Sequence, residues 1–295
     1  MASFRPLAGT RILSLALNLP GPAALMRCQR MGAACVKLEP PSGDPMGIYN
    51  PEAYAQLHHG ITVRQADLKT AAGQEALHAE LTRAHVLLTS FRPSALEKLG
   101  LAWKPLHARY PSLSQVAIVG APGQAAEEPG HDLTYLAANG LVAGLDLPPT
   151  LYADMGGSLM ASEAVLQAAL QQGERYAGTG EPHPAGHYLE VALSEAAAYL
   201  GLPRRWGLTQ PRGAVGGAHA GYRVYPCRDG RVAVAALEPH FAAALCAAAG
   251  LPHTDIRSMF APATHEGIAA FMGTRTRAEL DRLAVERDIP LHTLD

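Results

Sequence analysis

Between Gly130 and Gly157 the chain reads GHDLTYLAANGLVAGLDLPPTLYADMGG, and this stretch carries the residue types best suited to chemistry. It offers an imidazole, His131, and a carboxylate, Asp154, each close to glycine. Met155-Gly156-Gly157-Ser158 opens a run that spaces Leu159, Leu166 and Leu170 along one face and stops at Gly173. The pattern predicts a helix beginning just after Asp154. A carboxylate there meets unpaired backbone N–H groups and the positive end of the helix dipole. Asp154 therefore reads either as a helix cap or as an acid/base or nucleophilic group whose neighbouring amides hold a developing oxyanion. His131 reads either as a packed or surface histidine or as part of the same site.

The elements that must position these residues follow an alternating pattern. Arg11 to Leu15 reads as a buried first strand, Ala23 to Met31 as a helix ended by Gly32, and Ala34 to Leu38 as a second strand. A β-turn-α-β beginning of this kind implies a parallel sheet with a crossover helix. It lacks Gly-x-Gly-x-x-Gly, so no nicotinamide cofactor is inferred. Glu39 to Pro45 is a loop by composition. Thr70 to Thr82 reads as a helix, His85 to Thr89 as a strand, Ser94 to Leu99 as a helix and Leu113 to Val119 as a strand. Tyr188 to Leu193 alternates like a strand and leads into an alanine-rich helix. These features predict an α/β domain over residues 1–200. Residues 201–221, rich in Gly, Pro and Arg, read as a linker. Residues 222–295 read as a smaller α+β domain, opened by a hairpin around Arg228-Asp229-Gly230. Glu238-Pro239-His240 starts a further helix there.

Composition narrows the functional classes. The chain has 295 residues, 48% hydrophobic, with a formal net charge of -2. It is long enough for one large or two moderate cores. Near-neutral charge gives no electrostatic footprint for nucleic acid or an acidic membrane surface. Cys28, Cys35, Cys227 and Cys246 form no Cys-x-x-Cys pair and no zinc spacing with histidine, so they read as reduced and structural, which suits the cytoplasm, and no metal is expected. The apolar run near the N-terminus is broken by Asn18 and Pro20 and is too short for a signal peptide or a membrane span.

A set of short motifs in order then resembles the class III CoA-transferase family (CaiB/BaiF type), which includes the 2-methylacyl-CoA racemases. The anchors are Pro6-Leu7-Ala8-Gly9, Met31-Gly32-Ala33, Val36 to Pro41, Gly43-Asp44-Pro45, Asp67 to Thr70, Phe91-Arg92-Pro93, Leu99-Gly100-Leu101, Gly130-His131-Asp132 with Tyr135, and Glu238-Pro239. The resemblance implies a Rossmann-like large domain joined by linkers to a small domain, in an interlocked homodimer acting on acyl-CoA thioesters. It implies two available chemistries. In the transferases the aspartate at the position of Asp154 attacks the thioester and passes through anhydride and aspartyl-CoA intermediates. In the racemases a histidine and an aspartate, here His131 and Asp154, face opposite sides of the α-carbon, one removing a proton and the other returning it. Glu238 matches a glutamate that orients or shuttles protons in the racemases; its bland reading is a helix cap. Lys37 and Arg92 match positions near CoA, whose phosphates call for cationic side chains; the bland reading of each is a solvated charge.

The chain also departs from that family. His58 to Val63 replaces a usually basic stretch, leaving Arg64 as the nearby cation. The segment between His131 and Asp154 is short, and the family's returning C-terminal segment is expected to be missing after Asp295. Three readings result: an acyl-CoA racemase, a CoA-transferase moving CoA between carboxylic acids, and a non-catalytic acyl-CoA-binding relative.

Overall fold

The computed structural model describes residues 4–178, 185–252 and 255–295, the side chains of 172–178 excepted. The chain divides into two compact units, Met1–Gly201 and Leu202–Asp295.

The first unit is built on a six-stranded parallel sheet in the order β3-β2-β1-β4-β5-β6. Its strands are β1 (Arg11–Ser14), β2 (Ala34–Glu39), β3 (Thr62–Gln65), β4 (Val86–Thr89), β5 (Ser114–Val119) and β6 (Tyr188–Ala192). Between them run α1 (Pro20–Arg30), α2 (Met46–Tyr49), α3 (Pro51–Leu57), α4 (Ala71–Leu81), α5 (Pro93–Lys98), α6 (Trp103–Arg109), α7 (Asp132–Ala138) and α8 (Tyr152–Gly178), with α9 (Leu193–Leu200) after β6. The central strands β1, β4 and β5 are almost entirely buried because helices cover both faces of the sheet. Ile12, Val86, Leu88, Val116 and Ile118 pack with Leu25 and Cys28 of α1 and Ala161, Val165 and Ala168 of α8. On the other face Leu13, Leu38 and Leu87 pack with Leu77 and Leu81 of α4, Leu96 of α5 and Leu106 of α6. Adjacent residues of one strand thus serve opposite layers, the period-2 geometry of a pleated strand.

Strand order reverses between the neighbouring strands β1 and β4, so the connections leaving their carboxyl ends run in opposite directions and leave a crevice, where ligands bind in open parallel sheets. Several elements of this unit went unread in the sequence: α2, α3, α6, α7 and the edge strand β3, whose burial pattern is nearly all exposed. α1 begins at Pro20 rather than Ala23, with Pro at N1. Gly21 there packs so closely on the Ala16 side chain that a Cβ would overlap it.

The second unit contains α10 (Leu202–Arg205), an antiparallel sheet of β7 (Tyr222–Cys227), β8 (Gly230–Ala235) and β9 (Leu291–Leu294), and helices α11 (Pro239–Ala248), α12 (Pro262–Gly273) and α13 (Arg277–Arg287). The hairpin register pairs Cys227 with Gly230 across Arg228-Asp229. Its core joins Val232 and Val234 to Leu245, Ile268, Met272 and Leu280. No helix among the described residues is long and apolar enough to cross a membrane.

Candidate active site

A cavity of about 720 Å³ opens at the carboxyl ends of β1, β4 and β5, lined by first-unit residues alone. One side comes from the β1–α1 loop (Leu17, Asn18, Leu19) and another from Ser90, Phe91 and Arg92 after β4. Tyr49, the last residue of α2, and Asn50, which joins α2 to α3, line it as well. Gly130, His131, Tyr135 and Asp154 complete the wall. His131, Asp154 and Arg92 are therefore gathered by the fold, although up to 62 positions separate them in sequence.

Asp154 is the third residue of α8, not the residue before it, because the helix begins at Tyr152. The helix also runs past the expected stop at Gly173, to Gly178. The capping role read for Asp154 belongs to Asp132: its Oδ1 accepts the Asp154 backbone N–H at 2.9 Å. That bond also removes one of the amides expected to hold an oxyanion. Asp132, 5% exposed, sits at the first position of α7 and so ties the start of one helix to the start of the next. The Asp154 carboxyl is raised to about 6, first by burial and then by the Asp132 charge, with the His131 side chain acting against both. A carboxyl at that value exchanges a proton readily near neutral pH, as a general acid or base requires.

His131 precedes α7 in extended conformation. Its backbone N–H donates to Thr134 Oγ1 at 3.1 Å, and its carbonyl accepts from the same hydroxyl at 2.7 Å, which fixes the turn while the residue stays exposed at the cavity wall. Tyr135 explains the flanking glycine: a Cβ on Gly130 would lie 2.6 Å from the Tyr135 hydroxyl, and one on Gly120 would overlap it. The Tyr135 phenol is raised by burial and by the Asp154 charge. Tyr135 and Tyr49 thus join the site as polar groups that residue-type reasoning passed over. Tyr135 stood within the Gly-His-Asp motif, but Tyr49 had no signal beyond following Gly43-Asp44-Pro45 in the chain.

Arg92 is exposed on the cavity rim at the start of α5, where Pro93 occupies N1. The Glu127 carboxylate serves as the cap of that helix, accepting the Ser94 backbone N–H at 2.6 Å and its hydroxyl at 2.8 Å. Arg92 is left for the cavity.

Lys37 is placed differently. It is fully buried and does not line the cavity. Its ammonium contacts Asp44 Oδ2 at 2.5 Å, Glu39 Oε1 at 3.0 Å and His58 Nε2 at 2.9 Å, which uses all three donors. This arrangement leaves no Lys37 N–H for a CoA phosphate. Glu39, Asp44 and His58 have the spacing of a metal-ligand set, but the Lys37 ammonium already lies among them as the cation.

Glu238 precedes α11, with Pro239 at N1. It is exposed and makes no side-chain cap, so the bland reading fails at the hydrogen bond although the helix start is where Pro239 put it. It belongs to the second unit, outside the set that lines the cavity. All four cysteines are free, and Cys28 and Cys35 are pushed up to about 12 by burial, which makes them inert.

The chain is similar to several known proteins. The chain is 34% identical over 212 residues to the succinyl-CoA–D-citramalate CoA-transferase of Chloroflexus aurantiacus, a match covering 65% of this chain and 52% of that protein. It is 29% identical over 295 residues to the alpha-methylacyl-CoA racemase of Mus musculus, covering 92% of this chain and 73% of the racemase. The chain thus spans about half the length of the first relative and about three quarters of the second. The crystal structure of a hypothetical protein from Mycobacterium tuberculosis shares the fold, with a TM-score of 0.82 and 23% identity, covering 98% of this chain and 84% of that one. The family model for CoA-transferase family III matches residues 7–295, and the chain belongs to that family.

Proposed function

We propose that the protein acts on acyl-CoA thioesters and racemises 2-methylacyl-CoA. The observation that carries this reading is that an imidazole, His131, and a half-buried carboxyl raised to about 6, Asp154, border one cavity. One of the pair takes the α-proton. The electrons of the broken C–H bond move into the thioester carbonyl to give an enolate, and the other group then protonates the opposite face of the α-carbon. Each turnover exchanges the protonation states of the pair, which solvent resets. A group near pH 6 populates both states under ordinary conditions. Arg92 is the rim cation suited to a CoA phosphate. Glu238 is proposed to orient or shuttle protons, residues 1–200 to carry the CoA site, 201–221 to act as a linker, and the chain to work as a cytoplasmic homodimer in lipid metabolism.

A second reading, CoA transfer between carboxylic acids, is favoured by one observation: the Asp154 side chain accepts no hydrogen bond among the described residues and is available as a nucleophile. Its carboxylate would attack the thioester carbonyl and expel CoA thiolate to form an anhydride. The deciding experiment is incubation of the protein with 2-methylacyl-CoA in deuterium oxide, read by mass spectrometry, beside an assay for CoA moved to a free acid. Deuterium at the α-carbon is expected. Transfer of CoA without deuteration would replace the first reading by the second.

A further inference from the structure

Lys37, Asp44, Glu39 and His58 hold something beyond themselves. Both carboxylate oxygens of Asp44 accept the backbone N–H of Asn18, each at 3.1 Å, and Oδ1 also accepts that of Met46 at 2.9 Å. Lys37 fixes Asp44 in place, and its other contacts go to Glu39 and His58. The Tyr54 hydroxyl donates to Glu39 at 3.0 Å, and His58 Nδ1 faces the Tyr54 carbonyl at 2.7 Å, so each member has a partner and the set has one geometry.

Asn18, the residue so held, lies in the loop between β1 and α1 at the cavity. Its φ is +62°, and the only other described non-glycine residue with positive φ is Asp288. Glycine adopts that conformation without cost, and asparagine is the most tolerant of the residues that carry a side chain. Asn18 therefore keeps the turn and adds a carboxamide. That carboxamide is exposed and makes no hydrogen bond with the described residues. Tyr49 links this wall to the reacting groups: burial raises its phenol, and the charges of Asp44 and Asp154 raise it further.

We infer that the Asn18 carboxamide donates a hydrogen bond to the acyl carbonyl oxygen of the bound thioester, and that the buried Lys37–Asp44 pair is the positioning device that aims it. The inference rests on the reading of the cavity as an acyl-CoA site. Asn18 is the group that touches substrate, and Lys37 and Asp44 act through it.

The test compares Asn18→Gly, Asp44→Asn and the double variant in α-deuteration and CoA-transfer assays, with the melting temperature followed separately. Asn18→Gly removes the carboxamide and suits the backbone, so turnover should fall roughly tenfold with no loss of melting temperature. Asp44→Asn should lower turnover by a similar factor, and the double variant should be no slower than the slower single one, because both act on one contact. Asn18→Asp, which keeps the shape and loses the amide donor, should be as slow as Asn18→Gly. Wild-type turnover in Asn18→Gly, or losses that multiply in the double variant, overturns the inference. If Asp44→Asn does not fold, Lys37→Arg takes its place, and the two Asn18 variants alone decide the substrate contact. If the wild-type protein performs neither reaction, the proposed activities fail, and calorimetry with 2-methylbutanoyl-CoA decides the inference separately. Weaker binding in each single variant, and no further loss in the double, supports it. Unchanged affinity in Asn18→Gly, or no binding by the wild type, overturns it.

Discussion

Lys37, Glu39, Asp44 and His58 form a closed set of charged and polar groups, and Asp132, His131 and Asp154 form an open one. The closed set is buried: a full ammonium charge is offset by two carboxylates and a neutral imidazole, and every donor of the lysine has an acceptor. Burial lowers the His58 pKa, and its Nε2 lone pair then serves Lys37. The open set borders solvent and leaves charge uncompensated. Asp132 lies near Asp154 as a like charge, binds its backbone rather than its carboxyl, and helps to keep that carboxyl raised. Residue types are similar in the two places. What separates structure from chemistry is whether the charged groups are hydrogen-bonded to one another without a ligand, as Lys37, Glu39 and Asp44 are and the Asp154 carboxyl, among the described residues, is not. The closed set shapes a wall, and the open set has capacity left for a proton or an acyl group.

Substitutions can break this contrast. The largest effect is expected for Asp154→Asn, which should reduce turnover by about 10⁴-fold or more under either chemistry, measured as α-deuteration or CoA transfer. The same change should stabilise the fold at pH 8. The carboxyl is raised in the folded state, so its protonated form favours folding, fully below the ordinary value of 3.8, and that stability is lost as pH rises through about 6. A neutral amide escapes the loss, by on the order of 2 kcal/mol. A lower melting temperature at pH 8 would show that Asp154 is structural.

Next is His131→Ala, with a fall of roughly 10²–10⁴-fold in α-proton exchange on at least one face. CoA transfer between acids should survive this change, and hydroxylamine should still trap an activated Asp154. Equal exchange on both faces would remove His131 from the open set. Lys37→Met tests the closed set. It leaves Asp44 and Glu39 buried without their cation and should cost about 3–5 kcal/mol in denaturant unfolding. An unchanged midpoint would mean that the cluster is not the closed network described. Arg92→Ala should weaken binding of a CoA thioester by roughly tenfold or more while leaving the melting temperature in place. The reverse result, intact affinity with a large loss of stability, would make the arginine part of the α5 start. The smallest change is expected for Asp132→Asn, which keeps an acceptor for the Asp154 N–H and removes the like charge. The acidic limb of the pH–rate profile, near pH 6 in the parent, should move to lower pH, because Asp154 then ionises more easily. A limb that stays in place would assign the raised value to burial alone.

The alternation of short apolar strands with amphipathic segments was legible along the chain, because helix and strand periods are local properties. It located β1, β2, β4, β5, β6 and the β7–β8 hairpin to within a residue or two. The edge strand β3 was not legible: exposed on most of its length, Thr62 to Gln65 carries no apolar pattern and is a strand only because β2 offers it a register. The motif residues His131, Asp154 and Arg92 could be picked out by type and order, but not their convergence. That depends on the strand order, which puts the carboxyl ends of β1 and β4 side by side at the reversal. The sequence by itself determined which side chains are capable of acid–base chemistry and which backbone turns need glycine or proline. Tertiary structure alone decided what each charge faces. Lys37 and Arg92 look alike in the sequence as basic residues within short motifs, yet one lies in β2 with its ammonium on a buried carboxylate pair and the other stands on the cavity rim. The physical reason is that a charge takes its role from its surroundings, since burial and neighbouring charges set both its protonation and its partners.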